Sequence, residues 1–342
     1  MSFNENNPPT SSLLISGDMR ANFLATRRHM YSANYLQDPL YECWAYDDAT
    51  VPATWNLSGT GALIARVTTA IDIAVGKMSA RVTYGSAVAR LWQYIINPAD
   101  YDSFFDGRVV TAGCFVKTAT GGIARIRIDD GAATTDSAYH TGGGAFEWLD
   151  LEHLINPAAT YLSFEGRVEG AGNAIFSGPV FLFSDIKPDR FVPTPLIRET
   201  LFMGIRGAPY LGFIDQYMPQ RPFIVEQVAL RTNSQPVTNP LIADVLQWDG
   251  TTFTSMFTAG GRPRVAVSAY NGYANPDSTY NRRCFSYLET GAAAAPGNAG
   301  ILIRSEVDAP LPTAGGDTLG IHIRYKAWKR PQEIWLSPAS VR

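Results

Sequence analysis

The chain has 342 residues, 46% of them apolar and 17% charged, with 30 Gly and 22 Pro. That composition excludes a disordered chain and argues against a mainly helical one, and the length favours two domains. A net charge of −3 supplies no general attraction to nucleic acid.

The sequence has no apolar run of the roughly 18 residues needed to span a bilayer. Cys43, Cys114 and Cys284 lie far apart and form no CxxC pair, which leaves neither a zinc knuckle nor a redox motif. Cys114 falls on an apolar strand face and reads as a small buried thiol.

In chain order, residues 1–34 read as an arm followed by a short helix. Pro8-Pro9 keeps the arm extended. Ser16 or Asp18 can cap a helix from Met19, with Phe23 on its apolar stripe. Arg20, Arg27 and Arg28 make that helix basic. It serves either as a cap on the next domain or as an attachment element carried by Arg20, Phe23, Arg27 and Arg28. The arm lacks the basic and apolar regions of a signal peptide, so synthesis in a cytoplasm is expected.

Residues 35–187 carry about eight short alternating runs separated by Gly-rich turns, the pattern of antiparallel strands with one buried face. Residues 108–117 put Val110, Ala112, Cys114 and Val116 on one face. Residues 123–129 put Ile126 and Ile128 on one face and Arg125, Arg127 and Asp129 on the other. Residues 188–217 read as a Pro-rich linker, within which 196–205 fits a short helix or a strand. From 218 to 342 the alternation resumes, with Asp249-Gly250 as a hairpin turn. The expected fold is all-β: two β-sandwich, jelly-roll-like domains with an N-terminal arm and helix.

The order of landmarks in the first domain resembles carbohydrate-binding-module-like jelly rolls. The matching residues are Gln93 on its strand, then Gly107, Arg108, Val110, Thr111, Val116 and Lys117, then Phe146 and Trp148. Such a jelly roll is common in tailed-bacteriophage virion proteins. The second half resembles the β-sandwich modules that end phage fibres and appendages. The resemblance implies a non-enzymatic virion subunit of fibre, spike or decoration type, assembled in the host cytoplasm. Other virion proteins are its implied partners, with a homotrimeric state and contact with host-surface glycans. It implies neither nucleic-acid binding nor membrane insertion. A free carbohydrate-binding module and a glycan hydrolase stand as alternatives.

Motifs for catalysis are missing: there is no GxSxG, HExxH, P-loop or dinucleotide fingerprint. Carboxylates that could run glycoside hydrolysis sit in turn-like contexts. Trp92 and Tyr94 share a strand face, and Trp44, Tyr46 and Trp55 form a second aromatic set. Either set could stack on a pyranose or pack in the core. No cofactor is encoded. The resemblance allows a structural calcium, for which Asp129, Asp130 and Asp136 are the nearest oxygen cluster. The basic runs at 125–130, 282–285 and 325–330 read as solvated strand faces.

Overall fold

A computed structural model describes residues 33–42, 44, 51–52, 54–217, 223–248, 253–258, 260–275, 284–285, 303–308 and 310–328. The expected helix, with Arg20, Phe23, Arg27 and Arg28, lies outside these residues, as does Tyr46.

The described chain is all-β, as expected, and forms two sandwiches of two sheets each. The first holds ten strands rather than eight. They are β1 (Asn56–Ser58), β2 (Leu63–Val67), β3 (Ser79–Thr83), β4 (Ala89–Ile96), β5 (Val109–Lys117), β6 (Ala124–Asp129), β7 (Thr134–Asp136), β8 (Phe146–Leu154), β9 (Leu162–Val168) and β10 (Asn173–Leu182). One sheet runs β1-β4-β9-β6-β7 and the other β2-β3-β10-β5-β8. Every pairing in them is antiparallel. The last two strands, β9 and β10, each occupy the centre of one sheet.

The period-2 pattern explains the layering. Ala89, Leu91 and Ile95 of β4, Leu162 and Phe164 of β9, and Ala124, Ile126 and Ile128 of β6 are buried in one cluster. Val110, Ala112, Cys114 and Val116 of β5 join them, so Cys114 is the buried thiol its pattern suggested. Burial raises that thiol well above its ordinary value. Gly166 of β9 is small for a packing reason: a Cβ there would meet Cε1 of Phe176 at 2.8 Å.

The described residues between Ala33 and Trp55 pack against this core. Tyr35, Leu36, Tyr41, Trp44 and Trp55 are buried in it. Gln93 fastens them, its Nε2 donating to the carbonyls of Gln37 (3.0 Å) and Thr54 (2.8 Å) and its Oε1 accepting from Gln37 N (2.7 Å). A buried amide whose groups are all bonded adds specificity without an unpaired polar group.

The second sandwich begins earlier than the pattern suggests. Segment 188–217 carries β11 (Leu196–Gly204) and β12 (Gly212–Tyr217). These pair with β20 (Gly320–Trp328) and β19 (Ile303–Asp308). Most of the expected linker is therefore part of the second domain. Its prolines are confined to 188–195 and to Pro209, which leaves the alternating residues free to join a sheet. Next come β13 (Phe223–Arg231), a single strand, and β14 (Leu241–Trp248) with β15 (Phe253–Ser255), which make the expected hairpin. With β16 (Arg264–Val265), β17 (Asn271–Ala274) and β18 (Cys284–Phe285), the two sheets run β11-β20-β13-β17 and β12-β19-β14-β15. Strand β18 pairs off β13, and β16 pairs off β14.

Candidate functional site

The outer face of the first sheet carries residues whose types suit recognition. The register sets them in three rungs. Ser58, Arg90, Arg167 and Arg125 form one, and Asn56, Trp92, Glu165, Arg127 and Asp136 the next. Tyr94, Ser163, Asp129 and Thr134 form the third. Most outward residues follow an inward apolar one, Trp92 after Leu91, Glu165 after Phe164 and Arg127 after Ile126, so the burial of the core fixes what this face displays.

Trp92 and Tyr94 stand edge to face with ring centroids 4.7 Å apart, and Tyr161 continues the row 5.4 Å from Tyr94. All three are half-buried. Edge-to-face contacts hold such rings in one orientation while leaving ring area exposed. The Tyr161 hydroxyl is pushed up to about 12, first by burial and then by Asp129 beside it, so it stays a neutral donor.

Beside the rings lies a lattice of charge. Arg167 donates from Nη1 to Glu165 (3.0 Å) and from Nε to Glu169 (2.7 Å). Arg127 grips Asp136 with Nε (2.6 Å) and Nη2 (2.8 Å). Arg125 reaches Asp136 at 2.9 Å and Glu169 at 3.0 Å, and lies over the Tyr139 ring at 4.6 Å. Burial tends to raise the carboxyls of Asp136 and Glu169. Hydrogen bonds from the arginines and from Tyr139 outweigh it and hold both below the usual range. At Glu165 burial prevails over Arg167 and Arg90, and the carboxyl rises above the usual range. The run at 125–130 is thus a half-buried ion network rather than a solvated face.

At one end of the face a hollow of about 550 Å³ opens between the β1–β2 and β3–β4 turns. Gly59, Thr60, Ala87, Val88, Arg90, Arg127 and Arg167 line it.

The structure sorts the expected site residues. Trp92 and Tyr94 are on the face together. Trp44 and Trp55 are not; they are buried core residues, with indole N–H groups donating to Tyr41 and Asp38 carbonyls. Both belong to the core cluster, where burial of their large apolar area stabilises the fold. Asp129, Asp130 and Asp136 do not converge on a cation. Asp136 belongs to Arg127, and Asp129 accepts from Gly131 N. Asp130, fully buried, accepts from the amides of Ala132, Ala133 and Asn156 and faces His153 Nε2 at 3.0 Å. Among the described residues no group of three His, Cys, Asp or Glu is placed to hold a metal.

Tyr161, Glu165, Arg90, Arg127 and Arg167 were not singled out from sequence as site residues. The available signal was outward alternation: Arg125, Arg127 and Asp129 on one run, and Ser163, Glu165 and Arg167 on another, each opposite apolar partners.

No protein-family model matches the chain, and no curated protein matches it. Solved structures with similar folds include the enzymatically active domain of bacteriophage CBA120 tailspike protein 4, at 17% identity and a TM-score of 0.34, covering 44% of this chain and 21% of that one. TmCBM61, solved with beta-1,4-galactotriose, is similar at 16% identity and a TM-score of 0.34, covering 45% of this chain and all of that one. The tandem CBM22-1-CBM22-2 domain of Paenibacillus barcinonensis Xyn10C covers 87% of this chain and 99% of its own, at 10% identity and a TM-score of 0.33. At such identities and scores the likeness assigns no ligand.

Proposed function

We propose that the first sandwich is a non-catalytic glycan-binding module whose ligand lies along the outer face of the first sheet. The observation that carries this is the row Trp92, Tyr94 and Tyr161: three half-exposed rings in fixed contact, flanked by arginine and carboxylate groups. Apolar ring faces suit the C–H faces of pyranoses, and neighbouring charged groups suit their hydroxyls. Catalysis by a carboxylate pair fits less well. Glu165 is held by Arg167 and approached by Arg90 at 3.8 Å, while Asp136 is held by two arginines, so both carboxylates are committed to ion pairs on the face. Glycan arrays probed with the full chain and with Trp92→Ala test the reading. Specific binding lost in the variant, with the fold intact by circular dichroism, is the expected result. Reducing-end release from any bound glycan would refute it.

A second reading concerns assembly. Tyr273 is 74% exposed and Tyr270 is 49% exposed, on or beside the edge strand β17. Exposed aromatics at a sheet edge suit a subunit contact. Together with the sequence resemblance, this supports a virion subunit, homotrimeric, that presents its glycan-binding face to a host surface. Light scattering on the purified chain tests it: a trimer mass is expected, and a monomer at high concentration opposes it.

A further inference from the structure

We propose that the glycan is an acidic one, and that the carboxylate of a uronate or sialate residue sits in the hollow on Arg90, Arg127 and Arg167. This rests on the glycan-binding reading and adds the ligand class.

Residues of two turns, Gly59 and Thr60 on one and Ala87 and Val88 on the other, line the hollow together with three arginines of the sheet. Its walls close because Gly59 has φ +121°, and a Cβ there would lie 2.4 Å from the Val88 carbonyl oxygen. No carboxylate is among the lining residues. Glu165 is close by, but its side chain is only 6% exposed and is shared between two arginines.

The donors are not all used. The Arg90 side chain is 45% exposed, makes no hydrogen bond among the described residues, and has as its one ion pair there the 3.8 Å approach to Glu165. Arg167 spends Nε and Nη1 on Glu169 and Glu165, which leaves Nη2. Arg127 spends Nε and Nη2 on Asp136, which leaves Nη1. Next to the hollow, Ser58 Oγ is buried without a hydrogen-bond partner, directly across the register from Arg90. Converging guanidinium groups with spare donors match the oxygens of a planar anion, and partial burial strengthens each contact.

Two observations select a sugar carboxylate over a phosphate. Glu165 and Asp136 lie among the same arginines, so a dianion meets more repulsion than a monoanion. The hollow also shares its rung pattern with the ring row: Trp92 pairs with Glu165, which pairs with Arg127. A chain of sugars stacked on the rings therefore runs beside the arginines.

The test is a glycan array carrying uronate- and sialate-containing glycans, each beside its carboxyl-reduced form, probed with the full chain. Binding to the carboxylated members alone is expected, and it should weaken with added salt. For the best carboxylated glycan, Arg90→Ala should raise Kd by roughly 10- to 100-fold, the effect of losing a charge-assisted contact. Arg90 is exposed enough that this variant folds; Arg90→Gln, which keeps the length, should lose affinity as well. Equal binding of carboxylated and reduced forms would overturn the inference and leave the glycan reading standing. No binding to any glycan would overturn both. Inorganic phosphate that binds as tightly as the best glycan, and depends on Arg90, would overturn the sugar assignment in favour of a general anion site.

Discussion

The two outer faces of the first sandwich start from one strand pattern and end differently. The first sheet leaves Trp92, Tyr94 and Tyr161 standing half-exposed over an ion lattice. The second also displays aromatics: Phe115 meets Trp148 at 4.8 Å and Phe146 at 6.4 Å. There the chain itself lies against the rings. Trp148 Nε1 donates to the Pro188 carbonyl at 2.7 Å, and Lys187 pairs with Asp150 at 2.9 Å. Trp148 also lies on Gly113, where a Cβ would meet its Cζ2 at 2.2 Å. An aromatic row with a polypeptide cover is packing. One that the described residues leave half-exposed is available to a ligand, and composition alone does not separate the two.

Exchanging the tryptophans gives the largest effects. Trp92→Ala should abolish detectable glycan binding and cost less than about 1 kcal/mol of stability, since little core is lost. Trp148→Ala should do the reverse, lowering unfolding free energy by about 2–3 kcal/mol with binding retained. Urea titration and calorimetry on both variants check this, and equal stability losses would erase the distinction between the faces.

Next is Gly113→Val, which forces Trp148 off its seat. We expect a loss of about 2 kcal/mol from overpacking, read as a lower urea midpoint. A neutral outcome would mean that the second face is as open as the first.

Acid should then separate the carboxylates that hold the fold from those that serve the site. Burial pushes the Asp130 carboxyl up, but amide bonds from Asn156, Ala133 and Ala132 and its contact with His153 prevail and hold it below its ordinary value. A carboxyl lowered in the folded state stabilises that state fully above its unfolded value. That stabilisation is lost as pH falls through the folded one. Asp130→Ala should therefore lose about 1–3 kcal/mol at pH 7, and the loss should shrink as pH falls below the ordinary carboxyl range and through the lowered folded value.

The smallest effect belongs to Glu165. Its carboxyl is raised and faces Arg167 on its own strand, Arg90 on β4, Arg127 and Asp129 on β6, and Tyr161. Protonating it removes a competitor for the arginines. Affinity for a carboxylated glycan should rise roughly two- to threefold as pH falls from neutral toward the ordinary carboxyl range, a rise that begins early because the carboxyl is raised, and it should vanish in Glu165→Gln. A pH-independent affinity in the native chain would show that Glu165 does not compete with the ligand.

Period-2 alternation made the two sandwiches legible, because it reports directly which residues a sheet buries. It also put Trp92 and Tyr94 on one side of one strand. It did not distinguish Trp44 and Trp55 from them, since a ring that caps a core and a ring that faces outward look alike outside a long strand. The arginines were misjudged for a different reason. Residues 125–129 look solvated on their own. They become half-buried only when β9 brings Glu165 and Arg167 alongside, and that neighbour lies about 40 residues away in sequence. The boundary at 188–217 failed similarly: prolines at its start hid strands whose partners lie beyond residue 300.

The central positions of β9 and β10 also bear on how the molecule comes to exist. Strand β9 separates β4 from β6, and β10 separates β3 from β5. Until residues 162–182 have left the ribosome, each sheet is two fragments with a gap flanked by two bare edges, four in the two sheets together. Such edges invite mispairing, and long-range closure is slow. Nascent chains ending before residue 162 should therefore be the aggregation-prone ones. Glycan recognition should switch on abruptly once both strands are available, because no earlier chain holds Glu165 and Arg167 between Trp92 and Arg127.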